Sequence, residues 1–267
     1  MENTNRTAVE YHGTTKLGYI NLKTKPSLYK SYDIDPDITL EGQSIEINTP
    51  TLDCVYPENS GLLLEPWRKM RLDYHLHSIG EDVDATVELG MVFHPKGHVP
   101  EHVRWSKQLG QHVTDLDIPP GKIVRTDGYT YFHKAARITA FQPHMHALGT
   151  YQCLELIYPT KGTPARTDMV SCAHWDYNWH QVYNYADDVA PIIPAGTVAH
   201  VISYHDNTEA FRGNPDPKNW TGNGGRTIDE MGFVWLGWYD MTDEEYAEEL
   251  AERTALQEAA ASANQQQ

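Results

Sequence analysis

The segment PHMHALG, Pro143 to Gly149, sets two histidines two residues apart. The run before it, ARITAFQ, reads as a strand, and successive side chains of a strand point to opposite faces. His144 and His146 therefore share one face and Met145 takes the other. Two neighbouring imidazoles make an incomplete metal site. Zinc would need a third histidine or a carboxylate. Copper accepts imidazole, and cuprous copper also accepts soft thioether sulfur. The methionine able to supply that sulfur is Met231, which opens the apolar strand MGFVWLGWY directly after two acids. The ordinary alternatives stand beside this reading: polar surface histidines, and a methionine that fills a core.

Other histidines are clustered too, among a total of 14. HLHSIG (His75 to Gly80) echoes HMHALG (His144 to Gly149) in the pattern H-x-H-x-apolar-Gly, each copy following a strand-like run. In the first copy His75 and His77 share a face. Two domains of similar build, each presenting a His-x-His strand, would account for the echo; chance is the alternative. In HPKGHVPEH, His94, His98 and His102 recur every four residues, but Pro95, Gly97 and Pro100 oppose a helix there, so the segment reads as a solvated loop. HWDYNWHQVY, His174 to Tyr183, is dense in aromatics and reads as a core or rim segment. No nucleophile elbow, phosphate loop, zinc-protease helix or dinucleotide fingerprint occurs.

The elements that must carry these residues are short strands. SIEINTP, ATVELGMVF, YQCLELIYP and GTVAHVISYH alternate with turn signals such as PENSG, IPPGK, IPAGT and GNGG, which is the signature of β-sandwich architecture. A joint is expected at IPPG, Ile118 to Gly121, dividing residues 1–120 from 121–241. The end differs: Thr242 followed by Glu245 is a capping-box pattern, so a short helix should open there. The AAASANQQQ terminus is poor in apolar residues and reads as disordered. Residues 242–267 thus form a separate tail with no chemistry assigned.

Composition bounds the partners. The 267 residues carry a formal net charge of −16, which argues against nucleic acid and anionic membrane as partners. No apolar run approaches the roughly 20 residues needed to span a bilayer. MENTNRTAVEYHG lacks an export-signal pattern, so either the protein is cytosolic or its signal lies outside the given chain. There are three cysteines and no CxxC. Cys153 and Cys172 end two strands joined near Lys161-Gly162 and would sit almost opposite each other in a hairpin. They could form a disulfide, implying an oxidising compartment, or remain two half-buried thiols.

PHMHALG, HWDYNW, PAGT (Pro194 to Thr197), YHDNTEAFRGNPDP (Tyr204 to Pro217) and TIDEM occur in an order that resembles the copper type II, ascorbate-dependent monooxygenases. That family includes peptidylglycine α-hydroxylating monooxygenase, dopamine β-monooxygenase and bacterial relatives, and the likeness is closest to the bacterial members. It is strong over about residues 118–241, weaker over about 60–118, and slight before residue 60. The HxH pair with DEM about 85 residues later carries most of it. The resemblance implies an all-β protein of two antiparallel β-sandwich (jelly-roll) domains. It implies an oxygen-activating copper held by His144, His146 and Met231 in the second domain. It also implies a second copper that passes in electrons from ascorbate, with His75 as its carried-over ligand. The family supplies the other two ligands of that second copper as an adjacent His-His pair, which this sequence lacks. Either the chain is N-terminally trimmed, or its electron-transfer site is built differently, or that site is absent, as in a copper-binding protein without catalysis. Where peptide-processing members carry an arginine and a tyrosine for the substrate carboxylate, this chain has Gln142 and Trp235. The expected substrate is then a small neutral or apolar molecule meeting Trp235 and Phe233, with O2 and an ascorbate-like reductant as partners. The family context suggests a periplasmic or secreted location.

Overall fold

A computed structural model describes residues 18–24, 57, 59–61, 85–91, 93–110, 116–160, 166–178, 180–226 and 228–264. In chain order the strands are β1 (Gly18–Thr24), β2 (Ser60–Gly61), β3 (Ala85–Met91), β4 (His102–Leu109), β5 (Asp117–Ile118), β6 (Ile123–Tyr131) and β7 (Ala135–Met145). They continue with β8 (Gly149–Ile157), β9 (Thr167–His174), β10 (Tyr183–Asn184), β11 (Ile192–Ile193), β12 (Val198–Asp206), β13 (Thr221–Gly222) and β14 (Gly232–Met241), before the helix α1 (Asp243–Asn264). Among the described residues the protein is thus mostly β, in several sheets, with one C-terminal helix.

The chain divides into two units, Met1–Gly42 with Leu63–Glu101, and Gln43–Leu62 with His102–Gln267. In the first, β1 and β3 pair antiparallel from Gly18↔Met91 to Thr24↔Ala85. The joint expected at Ile118–Gly121 falls inside the second unit. The reason is a long-range pairing: β4 ladders antiparallel with β14, from Leu109↔Val234 to Arg104↔Tyr239.

Two larger sheets make up most of the second unit. One runs β10-β7-β14-β4-β2, with β11 also paired to β7; the other runs β6-β12-β8-β9. Their buried faces form one apolar cluster, drawn from Phe141, Val234 and Leu236 of the first sheet and Leu154, Leu156 and Val201 of the second. Strand alternation explains which residues enter it. On β14, Val234, Leu236 and Trp238 point inward, while Phe233 and Trp235 point outward.

β7 departs from simple alternation. Ala136 and Ile138 face the core, and so does Phe141, three residues on. The ladder with β14 shifts register between Gly237 and Trp238: Gly237 pairs with Ala140 and Trp238 with Ile138. One extra residue on β7 is a β-bulge, and it reverses the faces of everything beyond it. Even-numbered residues that would have continued inward, among them His144, point outward instead.

On the outward face of the second sheet, His200 of β12 bridges its two neighbours. Its Nδ1 lies 2.7 Å from Glu155 Oε2 on β8, and its Nε2 lies 2.7 Å from Asp127 Oδ1 on β6. Beside this row, Cys153 and Cys172 are direct cross-strand partners of β8 and β9 and are joined by a disulfide. The hairpin reading of the sequence therefore gave the right opposition, and the bond is formed.

The capping box at the head of α1 is made as the sequence suggests: Thr242 N donates to Glu245 Oε2 at 2.6 Å, and Glu245 N to Thr242 Oγ1 at 3.1 Å. The helix is longer than the sequence reading allowed, continuing through Ala259–Asn264. Low apolar content weakens packing, but alanine is the strongest helix former, so the run propagates the helix it follows. Arg137 of β7 anchors it through Glu249 at 2.9 Å.

The disulfide closes a loop of 19 residues in sequence separation. Replacing Cys153 and Cys172 together by alanine is expected to lower unfolding free energy by about 3 kcal/mol, from the lost restraint on the unfolded chain. Urea denaturation measures this; an unchanged midpoint would show that strand pairing alone holds β8 to β9.

Candidate metal centre

The C-terminal end of β7 carries the histidine pair. His144 is 6% exposed and His146 is 2% exposed. Their ring centroids are 5.6 Å apart at 71°. Across the ladder Phe233 pairs with His144, and the two rings stack at 4.4 Å. Trp235 pairs with Gln142, and its ring meets Phe233 edge-on at 5.8 Å. Directly paired residues point to the same side, so Gln142, His144, Phe233 and Trp235 line one outward face.

Met231 precedes the last ladder pair, Gly232↔Met145. It stands one residue before β14, outside the ladder. The main-chain amides of His146 and Met231 both donate to the same atom, Glu230 Oε2, at 3.0 and 3.2 Å. The fold therefore brings His144, His146, Phe233 and Trp235 together at one end of the sheet, with the main chain of Met231 tied to that of His146 through Glu230. His75 and His77 lie outside the described residues. His94 and His98 sit on an exposed turn with stacked rings, 4.5 Å between centroids, which agrees with a solvated loop.

The orientation of His146 is set by its surroundings. Its Nδ1 lies 3.0 Å from the carbonyl oxygen of Asp229. A carbonyl can only accept, so Nδ1 carries the proton and Nε2 is the electron-pair donor of the ring, the arrangement that suits a metal-ligating imidazole. The carbonyl of His146 in turn accepts from Trp175 Nε1 at 2.9 Å. Trp175 belongs to the aromatic segment HWDYNWH, whose His180 approaches His144 edge-on at 5.9 Å between ring centroids. His180 Nε2 is spent on the Tyr177 carbonyl at 2.9 Å.

Beyond the histidines, the same face holds two buried donors. Gln142 Nε2 and Trp235 Nε1 have no hydrogen-bond partner among the described residues. An unmet buried N–H is costly, so a pair of them on neighbouring strands is a feature that a ligand carrying an acceptor would satisfy.

Sequence reasoning missed Glu230, Gln152, His205 and Trp175 as parts of this arrangement. Glu230 and Met231 are adjacent in DEM, and that adjacency was the available signal for the carboxylate. Gln152 and His205 come from the opposite sheet, and nothing in their local sequence marks them.

Asp229, whose carbonyl orients His146, is itself held by Arg226. Arg226 Nε and Nη2 donate to its carboxylate at 2.9 and 2.6 Å. The Arg226 hydrogen bonds keep the Asp229 carboxyl below its ordinary range, against the upward pull of burial. A depressed pKa contributes stability that is complete above the unfolded value, about 3.9, and is lost as pH falls through the lower folded value. Replacing Arg226 by alanine should therefore lower stability at neutral pH and leave it little changed near pH 2, which flattens the acid-range slope. Urea midpoints between pH 2 and 7 measure it, and an identical slope in both proteins would remove Arg226 from the account.

No family model matches this chain, and no curated protein matches it. Solved structures that match include the VP2 subviral particle of infectious bursal disease virus, with 9% identity, 57% of this chain and 34% of that chain covered, and a TM-score of 0.26. They also include the structure of the Gx strain of the same virus, with 11% identity, 88% and 55% covered, and a TM-score of 0.26. The chain spans less than two thirds of either virus chain. Likeness at this level carries no argument about fold detail or activity. Among the described residues, no helix is long and apolar enough to cross a membrane.

Proposed function

We propose that the chain is a copper-dependent monooxygenase of the copper type II, ascorbate-dependent class, hydroxylating a C–H bond of a small organic substrate with O2 and an external reductant such as ascorbate. The observation that supports the reading is a pair of neighbouring imidazoles whose main chain is tied to that of Met231 through Glu230, with the His146 tautomer set for ligation through Nε2. Two nitrogen donors with a soft sulfur suit cuprous copper better than zinc or a hard cation. His144, His146 and Met231 would hold the ion, which when bound supplies oxygen activation.

The protein's own residues do the rest. Asp229 and Trp175 fix the His146 ring and backbone. Phe233 and Trp235 form an apolar wall for the substrate beside His144 and shield it from water. The unmet N–H groups of Gln142 and Trp235 would orient a substrate that bears a neutral acceptor. Neither is a cation, which accords with a substrate lacking a carboxylate. On this reading the fold is a pair of jelly-roll domains, His75 belongs to a second, electron-transferring copper site, and the disulfide accords with a periplasmic or secreted protein.

A second reading, a copper-binding protein without turnover, is favoured by the missing His-His pair. Oxygen uptake with ascorbate and copper separates the two: stoichiometric copper binding with no turnover establishes the second. Changing Met231 to Ile is expected to preserve the fold and weaken cuprous binding, with loss of the sulfur shell in the copper X-ray absorption spectrum. Changing His144 to Ala is expected to abolish oxygen consumption. An unaltered absorption spectrum in the first variant, or full turnover in the second, would remove these residues from the site.

A further inference from the structure

Behind the ligand face, three main-chain amides converge on one carboxylate. Glu230 is fully buried. Its Oε2 accepts from the amides of His146 and Met231 at 3.0 and 3.2 Å, and its Oε1 accepts from the amide of Leu148 at 2.7 Å. His205, also fully buried, sets Nδ1 3.2 Å from Glu230 Oε2, close in distance though not aimed along a hydrogen bond. His205 comes from β12 in the opposite sheet and lies under β14: a Cβ added at Gly232 would stand 3.4 Å from His205 Nε2 and 3.4 Å from Ser203 Oγ. The other ligand histidine is treated alike. Its amide donates to Gln152 Oε1 at 3.1 Å, and Gln152 Nε2 donates to Ser203 Oγ at 2.6 Å.

A buried carboxylate is expensive unless its oxygens are bonded, and an apolar side chain of similar volume often fills such space at less cost. The main-chain groups that Glu230 satisfies belong to both halves of the candidate centre, the HMHALG turn and Met231, the residue before β14. No hydrogen bond of a β-ladder could join those two segments there, because the ladder ends at Gly232↔Met145. We infer that Glu230 is a positioning residue that fixes the spacing between the imidazole of His146 and the thioether of Met231. The inference rests on the copper reading above. Gln152 does the corresponding work for the His144 backbone, and His205 backs Glu230 from the opposite sheet.

The test uses Cu(I) itself, titrated into the full chain against a chromophoric chelator, with copper X-ray absorption as the second readout. Glu230→Gln replaces one accepting oxygen by an NH2 group that opposes the amide donors. Glu230→Asp keeps the carboxylate and withdraws it by one methylene, so a folded variant is available if the first is unstable. Both are expected to lose about ten-fold or more in Cu(I) affinity, the usual cost of removing a group that orients a ligand. The sulfur shell should weaken while nitrogen scattering persists, a change that a general loss of stability would not produce. In the metal-free protein, hydrogen exchange at the amides of His146, Leu148 and Met231 should speed up in both variants. Wild-type protein that takes up no Cu(I) removes the copper reading and this inference with it. Wild-type protein that binds, alongside variants with unchanged affinity, intact sulfur scattering and unchanged exchange, overturns the inference alone.

Discussion

Backbone accounting at the end of β7 governs the rest of the candidate centre. A buried amide must find an acceptor. β10 pairs with β7 at Ala140 and Phe141. The amides of His144 and His146 are instead taken by side chains, Gln152 from the facing sheet and Glu230 from the approach to β14. What would be a frayed strand end is thereby tied to two other elements. The segment bearing the histidine pair inherits its order from contacts that a regular ladder would not have supplied.

Order of this kind matters to the proposed copper site, because soft donors must converge on one ion. His144 is held by stacking on Phe233, and His146 by the Asp229 carbonyl on its ring and the Trp175 indole on its own carbonyl. Each contact is individually modest, on the order of 1 kcal/mol. Together they fix the ring planes; in the proposed copper site the more flexible Met231 thioether would adapt to them. The two unmet N–H groups of Gln142 and Trp235 run against the general economy of the interior. Exceptions of that sort cluster where a protein has work to do rather than where it only needs to stand.

Much of this was legible in the sequence. The two-residue spacing sets His144 and His146 side by side, and the spacing of Phe233 and Trp235 gives them a common face. The register of β14 on β7 joins the two pairs. The opposition of Cys153 and Cys172 follows from strand lengths around a turn. What local sequence could not show is which faces look inward. That depends on the bulge near Thr139 and Ala140, whose existence reflects pairing with a strand nearly a hundred residues away. The same blindness to distant pairing misplaced the joint between units, since β4 belongs with β14. Glu230 was hidden for a different reason: an acid beside a methionine in a polar run looks like surface until the fold closes over it.

The bulge in β7 has one more implication. By turning the odd-numbered residues inward from Phe141 on, it makes the two sides of a single strand answerable to different requirements. Phe141 and its inward neighbours on β14 serve cohesion, while Gln142, His144, Phe233 and Trp235 serve whatever meets the opposite surface. Side chains on that surface can be exchanged, one specificity for another, without renegotiating the interior, which leaves a scaffold of this design open to diversification.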